Sequence, residues 1–288
     1  MANYEREAIG HLQEAVKKAN YTGWFGGNKL DEAAELYAKA ANSFKLAKKW
    51  QEAGDAYISQ ANVMKKLNET DEAASSYLNA SKCYKKTNPL DAINALQKAV
   101  EILVERGRFQ SAASNQKQIA EIYENEIIDP EKTLHAYELA ADWYTTEESN
   151  AQANACWLKV AHYAAQLEQY QRAIEKFEAV AEASKDNSLT RWSLRTYFLN
   201  AGICRLCTGD LVATQGAIDR YLQMDTTFST AREYSFLKAL FDACEANDTE
   251  AFTAAIIDFD KITKLDPWKT SLLLKVKNSL ANDEQDFT

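Results

Sequence analysis

The sequence predicts an all-α fold, a right-handed twisted array of antiparallel helix hairpins. Three observations predict it. First, a small residue returns after a polar pair about every twenty positions: Ala33, Ala53, Ala73, Ala92, Ala112, Thr133, Ala153 and Ala173. Second, only 9 Gly and 3 Pro occur in 288 residues, so the turn chemistry of β-rich folds is scarce. Third, large apolar residues follow the alanines at helical spacing, as in Leu36, Tyr37 and Phe44 after Ala33.

Twenty residues hold a helix of about fifteen and a short turn. Two such helices make a hairpin of roughly forty residues, close to the tetratricopeptide class. Helices are expected near residues 3–20 and 29–48, with an aromatic loop at 21–27 between them, and the hairpins continue to residue 215. Asn88-Pro89, Asp129-Pro130 and Asp266-Pro267 each read as an N-cap followed by Pro at the first helical position. Thr208-Gly209-Asp210 reads as a helix-to-helix turn. Residues 216–281 are expected to form a C-terminal capping bundle, and 282–288 an acidic flexible tail.

Charge narrows the partners. The net charge is -9, distributed unevenly: residues 1–100 hold 14 Lys and Arg against 12 Asp and Glu, residues 101–200 hold 10 against 16, and residues 201–288 hold 9 against 14. An acidic chain is a poor general nucleic-acid binder, because neutralising phosphates needs clustered Lys and Arg. The asymmetry suits two differently charged partners, one toward each end. No run is apolar enough for a transmembrane helix, and five scattered cysteines suit reduced thiols in the cytosol.

Catalytic chemistry is not in evidence. The three histidines, His11, His135 and His162, have no metal-site spacing. Cys204 and Cys207 lie on an expected helix without the strand of a redox motif or a second pair for zinc, so core packing is expected. No cofactor motif occurs, and Gly26-Gly27 falls between helices rather than after a strand. Two segments stand out. Trp24 and Phe25 sit among glycines in the 21–27 loop, where they either tuck against the first hairpin or dip into a bilayer interface. The tail combines Asp283, Glu284 and Asp286 with Phe287, either an idle terminus or an acidic peptide for a basic partner.

Several stretches carry a resemblance over essentially the whole chain. They include Trp24-Phe25-Gly26-Gly27, Ala38-Lys39-Ala40-Ala41-Asn42-Ser43-Phe44-Lys45, Gly107-Arg108-Phe109, Ala120-Glu121-Ile122-Tyr123-Glu124, Glu147-Glu148-Ser149-Asn150 and Leu265-Asp266-Pro267-Trp268. The sequence resembles the alpha-type soluble NSF attachment proteins. That resemblance implies a cytoplasmic adaptor, peripheral on membranes, with no enzymatic activity and no cofactor. It would bind the SNARE four-helix bundle of syntaxin, SNAP-25-like and synaptobrevin-like chains. It would also recruit and stimulate the NSF-type AAA+ ATPase in vesicle fusion and protein transport.

The resemblance assigns the SNARE grip to Lys48, Lys85, Lys86, Arg108, Lys159, Trp192 and Arg195. Two lysine positions of the animal relatives fall on Ser114 and Ala155, and Lys117, one helical turn from Ser114, is added to the set. It assigns weak membrane contact to Trp24 and Phe25. ATPase docking falls to Asp210, Asp242, Glu245, Asp248, Asp283, Glu284, Asp286 and Phe287. The alternative is a tetratricopeptide-type scaffold that binds a short peptide in its groove.

Overall fold

The structure is a computed structural model that describes residues 2–21, 26–186 and 190–286; side chains at 26–28 and 282–286 fall outside the description. Among the described residues there are fourteen α-helices and no strand. The helices are α1 (Ala2–Ala19), α2 (Gly26–Leu46), α3 (Trp50–Lys66), α4 (Thr70–Tyr84), α5 (Pro89–Glu105), α6 (Phe109–Ile122) and α7 (Pro130–Thr146). There follow α8 (Asn150–Gln166), α9 (Tyr170–Ser184), α10 (Leu194–Thr208), α11 (Leu211–Met224), α12 (Arg232–Glu245), α13 (Thr249–Ile262) and α14 (Pro267–Asp286). Helix α14 thus carries helix past the boundary at 281 that the sequence suggested. The stripe Leu272, Leu273, Val276 and Leu280 is buried, and no breaker follows it. The contacts divide the chain into two units, Met1–Ala153 and Asn154–Thr288.

The twenty-residue repeat has a direct physical meaning. Ala33, Ala53, Ala73, Ala92, Ala112, Ala153 and Ala173 are all buried, where a small side chain lets neighbouring helices close up. Thr133 takes the same place because its hydroxyl donates to the Asp129 carbonyl at 2.7 Å, which satisfies the one polar atom alanine lacks. The connections repeat as well. The N–H groups of Lys49, Glu69, Arg108, Ser149 and Gln169 each donate to a carbonyl five residues back, at 2.8 to 2.9 Å. The residue before each donor has positive φ: Lys48, Asn68, Gly107, Glu148 and Glu168. This is the Schellman ending of a helix, and it reverses the chain in three residues. The Asn88, Asp129 and Asp266 caps expected from sequence are present, accepting from Leu90, Lys132 and Lys269 N–H at 3.0, 3.0 and 2.8 Å.

Within Met1–Ala153 each helix from α1 to α7 packs on the next. Short reversals make neighbours antiparallel, so successive turns alternate between two edges. Side-chain bonds mark both edges. On one, Gln51 after the α2–α3 turn donates to Asp91 at 3.1 Å and accepts from Thr87 at 2.9 Å in the α4–α5 turn. On the other, Arg106 and Arg108 of the α5–α6 turn reach Asp71 beside the α3–α4 turn, each at 3.2 Å. The repeat also bonds internally: Tyr57 donates to Asn42 and Tyr77 to Asn62, a pair moved along by twenty residues. Helices α3 and α4 cross closely at Gly54, where an added Cβ would lie 2.3 Å from the Tyr84 ring. The α6–α7 connection is the longer exception, a π turn at Tyr123–Ile127 ending in Ile128 at φ 60°.

Within Asn154–Thr288, Glu178 on α9 accepts from Arg205 of α10 at 2.7 Å and from the Tyr221 hydroxyl of α11 at 2.6 Å. Tyr221 stacks on Phe198 with ring centroids 4.7 Å apart. Helix α14 is pinned at its start by Trp268, whose indole N–H donates to the His162 carbonyl at 2.9 Å and whose ring lies 4.6 Å from the imidazole. Aromatic pairs of this kind add about 0.5–1.5 kcal/mol beyond their buried area.

Candidate functional site: charged surfaces of the two units

In Met1–Ala153 the candidate cations separate onto different parts of the surface. Lys48 and Lys85–Lys86 project from the turns after α2 and α4, on one edge, and all three are exposed. Lys86 lies with its ammonium 3.5 Å from the centre of the Trp50 ring, a cation–π contact that holds it without neutralising it. Lys45 and Lys82, in the last turns of α2 and α4, join the same edge. Among the described residues, none of these five lysines has a carboxylate within ion-pair distance. Sequence reasoning missed Lys45 and Lys82, although the repeat period places both one helical turn from a named lysine.

Arg108 stands on the opposite edge. It precedes α6 and shares Asp71 with Arg106. Lys117 is half-buried on α6, 3.8 Å from Glu121. The structure therefore brings Lys48, Lys85 and Lys86 together and sets Arg108 apart from them. Trp24 and Phe25 lie outside the described residues.

In Asn154–Thr288 the candidates occupy two ends of the helices. Trp192 is 77 % exposed, and the Arg195 guanidinium sits 5.8 Å from its ring centre, so the two share a face as their spacing predicts. With Lys185, Arg191, Asp225 and Thr227 they line a cleft of about 520 Å³. Arg191 approaches the buried Asp225 carboxylate at 3.7 Å, and Lys185 is held by Glu182. Lys159 is exposed on α8.

The acidic candidates gather where α10 and α12 end. Asp210 follows α10, Asp242 and Glu245 lie in the last turn of α12, and Asp248 follows it. Two of them also have structural work. Asp210 caps α11, accepting from Ala213 N–H at 2.9 Å, and Asp248 caps α13, accepting from Ala251 N–H at 2.8 Å. Asp242 pairs with Lys238 at 2.7 Å.

Helix α14 runs toward the same end. The Leu272 carbonyl faces the Cys207 thiol near the end of α10, and Lys275 pairs with Glu168 just beyond α8 at 2.6 Å. Its last turns carry Asp283, Glu284 and Asp286, whose side chains fall outside the description, while Phe287 lies outside the described residues altogether.

Three cysteines and one histidine of this unit are packed inward. Cys204 is buried, and burial pushes its thiol well above the ordinary range. Burial pushes Cys207 up to about 12 and Cys244 up to about 11. All three keep their protons at neutral pH, so the expected core packing accounts for them. Burial also lowers the pKa of His162, which stays neutral under Trp268.

A helical-repeat surface with separate basic and acidic regions fits many adaptors, and sequence comparison decides among them. Residues 6–281 match the family described as soluble NSF attachment protein. The chain belongs to this family. The alpha-soluble NSF attachment protein of Dictyostelium discoideum is 47 % identical, covering 97 % of each chain. That of Mus musculus is 41 % identical, covering 98 % of each. A relative from Schizosaccharomyces pombe, 42 % identical over 96 % of this chain and 97 % of its own, is named a probable vesicular-fusion protein. As in the sequence reading, the soluble NSF attachment protein fold here offers no described helix long and apolar enough to cross a membrane.

Proposed function

We propose that the chain is a non-catalytic adaptor that binds assembled SNARE four-helix bundles and recruits and stimulates an NSF-type AAA+ ATPase. The ATPase would then dismantle the bundle during vesicle fusion and intracellular protein transport. The observation that carries the reading is the set of lysines without carboxylate partners on one edge of Met1–Ala153. Cations not neutralised by their own chain are available to an acidic partner, and they speed and orient encounter more than they add affinity.

Lys48, Lys85, Lys86, Lys159, Trp192 and Arg195 are the proposed SNARE contacts best supported by exposure. Arg108 and Lys117 contribute less, being engaged by Asp71 and Glu121. The acid-bearing end of α10, α12 and α14 is the proposed ATPase surface, with residues 216–281 as the capping bundle that presents it. Trp24 and Phe25 are the proposed membrane contact, giving a cytoplasmic protein peripheral on membranes.

Reconstitution tests this directly. Purified SNARE complex, the ATPase and ATP are combined with and without this chain, and release of free SNARE chains is followed. Disassembly is expected only in the complete mixture. Equal rates with and without the chain sink the proposal.

A further inference from the structure

The lysine edge carries apolar side chains that the charge pattern does not explain. Helix α1 and the residue Tyr21 beyond it expose Tyr4, Ile9, Val16 and Tyr21; from α2 to residue 153 the exposed large hydrophobic residues described are Leu46, Leu90 and Ile128, at 60 %, 56 % and 76 % exposure. A single exposed leucine is ordinary. Here all three fall at connections on one edge: Leu46 ends α2, Leu90 opens α5, and Ile128 stands between α6 and α7. Ile128 is also held at φ 60°, a region that β-branched residues rarely enter. The other left-handed turn residues in this unit are Lys48, Asn68, Gly107 and Glu148.

We infer that Leu46, Leu90 and Ile128 are apolar contact points for the SNARE four-helix bundle, set among lysines that meet its acidic surface. The inference rests on the adaptor reading above and adds a salt-insensitive part to the grip. Helices pack about 8–10 Å apart, so points repeated every second helix lie about 20 Å apart. Along a helical rod that distance is about two heptads, and so a rod crossing successive hairpins can offer an equivalent groove to each point.

A lipid surface fits less well. Between Leu46 and Leu90 stands a bonded polar group in which Gln51 and Asn88 donate to the Asp91 carboxylate at 3.1 and 2.9 Å. Laying this edge into a bilayer interface would strip water from that carboxylate. A ridged protein touches the apolar points and leaves the polar stretch between them wet.

The test measures affinity of the full-length chain for soluble, assembled SNARE complex at about 100 mM and about 400 mM salt, where screening lengths differ about twofold. The triple variant Leu46→Ser, Leu90→Ser, Ile128→Ser is expected to bind about tenfold more weakly at both salts. Reversing Lys45 and Lys82 is expected to cost affinity mainly at the lower salt. If the triple variant loses its fold by circular dichroism, the double variant Leu46→Gln, Leu90→Gln, which keeps helix-favouring residues, replaces it.

Wild-type binding with unchanged affinity in the variants overturns the inference and leaves the adaptor reading standing. A wild-type chain that does not bind the complex removes the adaptor reading itself. A loss seen on phosphatidylserine-containing vesicles but not on the SNARE complex assigns the three residues to membrane and overturns the inference as well.

Discussion

In Met1–Ala153 the turns after α2 and α4 hold Lys45, Lys48, Lys49, Lys82, Lys85 and Lys86, with Glu52 and Asp91 as the nearby acids of α3 and α5. The turns after α3 and α5 hold Lys65, Lys66, Arg106 and Arg108 among Glu69, Asp71, Glu72 and Glu105. Both edges are built from the same reversal. On the first, Lys49 alone of the six is seen to be paired, bonding Glu5 and Glu52. On the second, one carboxylate serves two arginines. A repeat therefore fixes where charged residues stand but not whether they are used up within the chain. On the second edge Lys65 and Lys66 are exposed as well, so the contrast lies in the residues at the turns themselves, Lys48, Lys85 and Lys86 against Arg106 and Arg108.

The largest expected effect compares the edges directly. Reversing Lys48, Lys85 and Lys86 together to Glu should weaken binding of the SNARE complex by about a hundredfold at low salt, given roughly 1 kcal/mol per charge pair. Reversing Arg108 alone should cost only a few-fold, since its charge is already shared with Asp71. Equal losses from both would mean that local pairing does not decide availability, and the contrast between the edges would fall.

A smaller effect should reach the lysine edge from inside. Gly54→Ala puts a methyl group into the Tyr84 ring, and Tyr84 ends the helix that leads to Lys85 and Lys86. Its hydroxyl donates to Asp55 at 2.7 Å, so the ring has little freedom to move aside. Overpacking of this kind costs about 1–3 kcal/mol. Thermal unfolding should register the loss, and hydrogen exchange should rise first at the end of α4. An unchanged Tm would show that α3 and α4 separate freely, so the tight crossing would not be what holds this edge in place.

Much of this was readable before any coordinates. The alanine period marked which residues would be buried, because only a small side chain fits where two helices meet every twenty residues. Pro after Asn or Asp marked three helix starts, because proline fixes φ at a position that lacks an N–H acceptor anyway. The three-residue spacing of Trp192 and Arg195 put them on one face.

What was not readable depends on partners distant in sequence. Asp71 and Arg108 are 37 residues apart, and no local pattern tells that they meet. Leu46, Leu90 and Ile128 look like continuations of core stripes, and only packing reveals that they run past the helix on which they would have been covered. The capping roles of Asp210 and Asp248 follow the same rule as Asp129, but an assignment to docking hid them. Each cap uses one carboxylate oxygen, Oδ1, in its bond to the helix N–H.

The smallest effect offers the finest test of the two edges. Asp71→Asn removes the charge that Arg106 and Arg108 share while keeping a side chain of the same shape. Both guanidinium groups are largely exposed and Asp71 is partly so, so stability should change by less than about 0.5 kcal/mol. The amide can still accept one hydrogen bond from the arginines, which keeps the turn in place. What changes is availability: two guanidinium groups, no longer offset by a carboxylate, should raise the association rate with the acidic SNARE complex, and more at low salt than at high. Stopped-flow association at two ionic strengths reads this without a change in fold. A rate that stays constant while Lys48→Glu lowers it would mean that this edge lies away from the partner whatever its charge, so that position separates the two edges. A rate that rises would mean that pairing with Asp71 is what keeps Arg108 from acting as the lysines do.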